Sequence, residues 1–123
     1  MQDSKEYDIH KRIYAFVIRV LKLIKKIPKT NENTVIIFQL TKSVTSMGAN
    51  DREADGVITK KDFIHKYSIV RKEAKETDYW LNIISDTNPD LKPKMIDMIQ
   101  EGQEIIKIVT SIIYNTQNGK SKK

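Results

Sequence analysis

Apolar residues recur along this chain at steps of three and four, and the pattern sets the first expectations. Ile9, Ile13, Phe16, Val17, Val20, Ile24 and Ile27 hold that spacing, which places side chains on one face of an α-helix. It predicts a first helix from about Tyr7 to Ile27, stopped by Pro28, whose missing N–H cannot continue the backbone ladder. A second helix runs from about Thr34 into Ala54 on Ile37, Leu40, Val44 and Met47, and Gly56 is expected to close it with a left-handed backbone. The third is the most regular, since Phe63, Tyr67, Val70, Ala74, Thr77, Leu81 and Ile84 alternate four and three without an intervening Gly or Pro. Thr59, followed three residues later by Asp62, marks its start as a capping box would, and Asn88-Pro89-Asp90 turns the chain after it. The fourth helix begins near Pro93 and carries Met95, Ile99, Ile106, Val109 and Ile113, with Met98, Ile105 and Ile112 broadening its face.

Helices of about 20 residues are roughly 30 Å long, and short connections make sequential neighbours antiparallel. The expected fold is all-α, an antiparallel up-down-up-down four-helix bundle over residues 1–114, with the polar, basic residues 115–123 as a disordered tail. Ser43, Ser46, Gly48 and Ala49 would let another backbone approach the second helix closely. A Gly inside a helix is up to about 1 kcal/mol less favourable than Ala, so Gly48 implies a steric requirement.

Composition narrows the function classes. A length of 123 residues suits one hydrophobic core. With no cysteine, the chain has neither a disulfide framework nor a thiolate zinc site. No apolar run is long enough for a membrane span, and MQDSKEYD lacks the order of a signal peptide, so a cytoplasmic location without membrane contact is expected. The net charge of +6 is unevenly placed: residues 1–30 carry +5 and residues 115–123 carry +3, leaving −2 on the remainder.

On the first helix, Lys11, Arg12, Arg19, Lys22, Lys25, Lys26 and Lys29 fall within an arc of about 140° opposite the apolar stripe. This ridge is the candidate nucleic-acid contact, through phosphates and without sequence preference. Its plainer alternative is a solubilising face. On the third helix, Asp62, Lys66, Ile69, Glu73, Glu76, Trp80 and Ile83 form a second stripe beside the apolar one. Trp and Ile among charges suit a subunit interface better than open solvent. Asn50 and Glu53, near the end of the second helix, are expected to meet partners on the third helix or on a neighbouring subunit.

The run DREADGVITKKD, Asp51 to Asp62, has the acidic spacing of a calcium loop, and DTNPDLKPKMID, Asp86 to Asp97, repeats it thirty-five residues later. Leu91 stands where such a loop needs Gly, Pro89 and Pro93 stiffen it, and both twelfth positions are Asp rather than Glu. An unbroken helix between the two runs leaves no room for the paired helices of such a domain. A helix stop and a helix start explain the first run better, with a calcium-binding protein as a remote alternative. A carboxylate-bridged di-metal centre needs two Glu-x-x-His motifs, and only Asp62-Phe63-Ile64-His65 comes near one; His10 has no matching partner. No nucleophile–base pair or glycine-rich phosphate loop can be read. The chain therefore offers no catalytic residue, no metal ligand set and no cofactor motif.

The run SMGANDREADG followed by KKDFIHKYSIVRKEAKETDYWLNII resembles the bacterial four-helix-bundle proteins encoded within intervening sequences of 23S ribosomal RNA genes. That family shows Ser-x-Gly-Ala-Asn-x-x-Glu-Ala at the end of the second helix, then Lys-Asp-Phe and Lys-Glu-Ala-x-Glu-Thr-x-x-Trp-Leu in the third. Here these are Ser46, Gly48, Ala49, Asn50, Glu53 and Ala54, then Lys61, Asp62 and Phe63, then Lys72, Glu73, Ala74, Glu76, Thr77, Trp80 and Leu81. The resemblance extends from about Tyr7 to Tyr114. It implies a ring-like homo-oligomer, a pentamer, and a relation to the accessory bundle protein of diversity-generating retroelements, which handles nucleic acid alongside a reverse transcriptase. It implies no enzymatic activity. The expectation is a non-enzymatic oligomeric bundle whose partners are its own copies, RNA or DNA, and a reverse transcriptase or other protein. The alternative is a protein-interaction scaffold that binds no nucleic acid.

Overall fold

Backbone hydrogen bonding divides residues 8–119, those the computed structural model describes, into four helices. These are α1 (Ile9–Ile24), α2 (Asn31–Ala54), α3 (Lys60–Thr87) and α4 (Lys92–Gln117). No strand occurs among the described residues. The expected start of the first helix at Tyr7 lies outside them.

Side-chain caps explain where three helices begin. Asp8, Thr30 and Thr59 each accept from the amide three residues on, at 3.2, 3.1 and 3.1 Å, satisfying a donor the helix cannot. Thr30 therefore starts α2 three residues before the expected Thr34. The end of α2 differs from expectation, because Gly56 does not have positive φ. The Asp55 and Gly56 amides instead donate to the Arg52 and Glu53 carbonyls at 3.3 and 3.0 Å. A tightened last turn thus satisfies carbonyls that a left-handed residue would otherwise serve. At the far end, α4 runs three residues into the stretch read as tail, to Gln117. Residues 120–123 of that stretch lie outside the described residues.

Each helix buries one stripe: Ile13, Phe16 and Val20 from α1, Leu40, Val44 and Met47 from α2, Tyr67, Val70, Leu81 and Ile84 from α3, Met95, Ile105 and Val109 from α4. Complete burial of such a side chain stabilises the fold by about 1.5–3 kcal/mol. The α2–α3 seam is the most extensive, followed by α3–α4, and α1 lies against α2 and α4. Two glycines permit α1 to come so close. A Cβ on Gly102 would stand 2.9 Å from Phe16 Cζ, and one on Gly48 would stand 3.1 Å from Val17 Cγ2. The steric requirement expected at Gly48 is thus the α1–α2 approach.

Polar pairs fix the α2–α3 seam along its length. Near its middle Ser43 and Thr77 share a buried hydrogen bond of 2.8 Å. At one end Asn33, at the start of α2, donates to Asn88, just past α3, at 3.1 Å and to the Pro28 carbonyl at 2.9 Å. At the other end Asp51, late in α2, meets Tyr67, early in α3.

Candidate functional site

The basic residues of the N-terminal third divide into two groups. Lys11, Arg19, Lys22, Lys25, Lys26 and Lys29 are exposed. Among the described residues, Arg19, Lys22, Lys25 and Lys26 have no carboxylate partner. Lys11 Nζ lies 3.6 Å from Asp8, a contact on the open surface that contributes little. Lys29 Nζ donates to the Ile24 and Ile27 carbonyls at 3.2 and 2.7 Å, capping the negative end of α1. Arg12 departs from the expected ridge. Its Nε and Nη2 grip both oxygens of Glu101 on α4 at 3.0 and 2.8 Å, and only 13% of its side chain is exposed. At 100° per residue, Arg12 stands about 85° from the centre of the apolar stripe, whereas Lys11, Lys22 and Lys25 stand about 135° or more from it. Arg12 therefore joins helices, and the remaining ridge faces solvent.

On the opposite flank, α1 meets α2 through a polar cluster that sequence reasoning did not anticipate. Asp51, read as the end of a helix or a loop ligand, is 5% exposed. Its Oδ1 accepts from the Tyr67 hydroxyl at 2.6 Å and lies 2.9 Å from His10 Nδ1. A carboxylate oxygen accepts, so Nδ1 is the donating nitrogen of that ring. Burial pushes the Tyr67 hydroxyl well above the ordinary tyrosine range, and the hydrogen bond to Asp51 and the charges of Asp51 and Asp55 push it further. The phenol thus stays a donor. The cluster ties three helices together, α1 through His10, α2 through Asp51 and α3 through Tyr67. A signal was present in the sequence: Asp51 continues the stripe of Leu40, Val44 and Met47 and precedes Ala54 by three.

Beside the cluster a groove of about 390 Å³ opens between α1 and α2, lined in part by Tyr14, Val17, Thr45, Gly48 and Ala49. It continues outward into a shallower hollow bordered by His10, Lys11, Tyr14 and Arg52.

The residues read as a polar seam are placed separately. Glu53 accepts from Lys66 Nζ at 2.6 Å, which supplies its partner on α3. Asn50 turns back on its own helix, donating to the Ser46 carbonyl at 2.9 Å. Trp80 is half-buried against the core, and its Nε1 donates to Glu76 at 3.1 Å within α3. Glu73 is half-buried as well. The calcium-like run is divided between elements, with Asp51, Arg52 and Glu53 helical in α2 and Asp62 in the first turn of α3. Among the described residues no group of three or more His, Asp or Glu is placed to hold a metal ion, and no helix is long and apolar enough to cross a membrane.

Comparison with known proteins adds to this geometry. A family model described as 23S rRNA-intervening sequence protein matches residues 5–111. Among solved structures, the chain is similar to a protein of unknown function from the S23 ribosomal protein family of Bacteroides thetaiotaomicron VPI-5482. The identity is 33% over 85% of this chain and 97% of that one, with a TM-score of 0.78. No curated protein matches.

Proposed function

The chain belongs to the 23S rRNA-intervening sequence protein family, and from that premise we propose a non-enzymatic, oligomeric bundle that holds nucleic acid against the exposed face of α1. The observation that carries this reading is the set Arg19, Lys22, Lys25 and Lys26, exposed and without carboxylate partners among the described residues. Cations held neither by ion pairs nor by burial release counterions when they meet phosphates. In this reading the helices run up-down-up-down, and copies associate as a ring-like homo-oligomer, a pentamer, that repeats the basic face and multiplies its avidity. Val35 and Phe38 on α2 favour such association, being 63% and 64% exposed on neighbouring turns.

Those two residues also favour a second reading, a protein-interaction scaffold whose basic face only solubilises it. Electrophoretic shift of structured RNA and of duplex DNA at two salt concentrations separates the two. Neutralisation of four phosphates gives a slope of log K against log salt of roughly −3.5. Reversing the charge of Arg19, Lys22, Lys25 and Lys26 then abolishes the shift. No shift at low salt, or a shift indifferent to salt, rejects nucleic-acid binding and leaves the scaffold. Light scattering measures the assembly independently.

A further inference from the structure

The hollow at the α1–α2 lip has a composition that a solubilising surface does not require. Tyr14 is 59% exposed at its border, with Lys11, Arg52 and the ring of His10 around it. Arg52 has no carboxylate partner among the described residues. The deeper groove adds the apolar Ile13 and Val17 and sets the carboxylates of Asp51 and Asp55 beside Arg52 and His10 again. Lys11 and Arg52 hold an anionic group at the rim, while a flat neutral ring can cover the Tyr14 face.

We propose that this hollow binds one unpaired nucleotide of a single-stranded nucleic acid, its base stacked on Tyr14 and its phosphate between Lys11 and Arg52. The proposal rests on the nucleic-acid reading above and deepens it by naming the substrate class. Every base has a π-face, so stacking on an aromatic side chain is tolerant of sequence, and the face is available only when the base is unpaired. Tyr14 lies on the edge of the basic ridge that faces α2, eight residues before Lys22. That interval is about 12 Å along α1, within reach of a strand whose backbone follows the ridge.

The test compares Tyr14→Ala, Tyr14→Phe and Arg52→Gln with the unaltered protein, using a short single strand that carries 2-aminopurine, as RNA and as DNA, and the blunt duplex of the same sequence. All three substitutions fall on exposed positions, and helical content by circular dichroism checks that the fold is kept. Tyr14→Ala is expected to weaken single-strand binding roughly 5- to 150-fold, the range for loss of one base stack, to abolish the change in 2-aminopurine emission, and to leave duplex binding within about twofold. Tyr14→Phe keeps both signals, and Arg52→Gln weakens single-strand binding while lowering its salt slope by about one. Equal losses on single strand and duplex, or no loss on either, overturn the nucleotide site while nucleic-acid binding stands. If the unaltered protein binds none of the three probes, the nucleotide site fails, and the wider reading fails with it only when structured RNA is not shifted either. A larger Tyr14 effect with RNA than with DNA identifies the ribose hydroxyl as part of what is recognised.

Discussion

Tyr67 donates its hydroxyl hydrogen to Asp51 at 2.6 Å across the α2–α3 seam, and both residues are at least 95% buried. The same oxygen of Asp51 lies 2.9 Å from His10 on α1, so one carboxylate serves three helices. Low local dielectric strengthens such bonds and makes each one expensive to leave unmade.

Asp51→Ala should destabilise the bundle by about 2–3 kcal/mol in urea denaturation, because the Tyr67 hydroxyl is left buried without an acceptor. Tyr67→Phe should lose less, about 1–2 kcal/mol, since His10 still meets the carboxylate. The double variant should fall short of the sum. Strict additivity would show that the contact carries no stability.

Alkaline pH should act through the same pair. The folded-state pKa of Tyr67 is raised, so above the unfolded value of about 10 the unfolded chain releases a proton that the folded chain retains, and stability falls as pH rises. The contribution is complete below about pH 10 and declines above it, by up to about 1.4 kcal/mol per pH unit. Denaturation at pH 9 and at pH 11 should show a smaller decline for Tyr67→Phe than for the unaltered protein. Parallel declines would mean that other groups account for the whole effect.

The two helix-packing glycines should respond differently to the same change. Gly102→Ala drives a methyl to 2.9 Å from the ring of Phe16, a ring only 2% exposed, so that making room requires the packed core around it to shift. We expect a net loss of about 1–2 kcal/mol in thermal unfolding, relieved by adding Phe16→Leu. Gly48→Ala meets only the end of Val17, at 3.1 Å. There the gain in helix propensity of about 1 kcal/mol offsets the crowding and leaves stability within about 0.5 kcal/mol.

Basic residues of α1 should separate into structural and binding groups. Arg12→Ala should reduce stability by about 1–2 kcal/mol, between the values for exposed and buried ion pairs, and a double-variant cycle with Glu101→Ala should recover most of that as coupling. Lys22→Glu and Lys25→Glu should leave the melting temperature nearly unchanged while weakening nucleic-acid binding. An Arg12 variant that keeps full stability and loses binding would return that residue to the ridge.

The helices and their apolar stripes were legible because a 3.6-residue period survives in the residue pattern whatever the neighbours are. The Thr59 cap was legible for the same reason, being local. What the pattern hid were residues whose environment depends on another helix. Arg12 and Lys11 are adjacent in sequence and equally basic, but only Arg12 turns far enough toward α4 to find Glu101. Asp51 occupies a core position of α2, and its place in the stripe is a better guide to its environment than its charge. A glycine after a helix suggests a left-handed closure, but the Asp55 and Gly56 amides already serve the last carbonyls of α2 and make it unnecessary. The groove beside Tyr14 belongs to two helices at once and has no signature in either.

Asn33 with Asn88 at one end, Ser43 with Thr77 in the middle and Asp51 with Tyr67 at the other make α2 and α3 a pair closed along its whole length. By contrast, among the described residues α1 is joined to the other helices by polar side-chain bonds only near its N-terminal end, through His10 and Arg12. Beyond Arg12 its contacts with the other described helices are packing. Partial openings of the native state should therefore begin at the C-terminal end of α1 and in the turn of Lys25 and Lys26 that follows it, whose amides should exchange with deuterium before those of α2 and α3. The segment that carries the cations is then the first to loosen, and a bound polyanion should slow its exchange most.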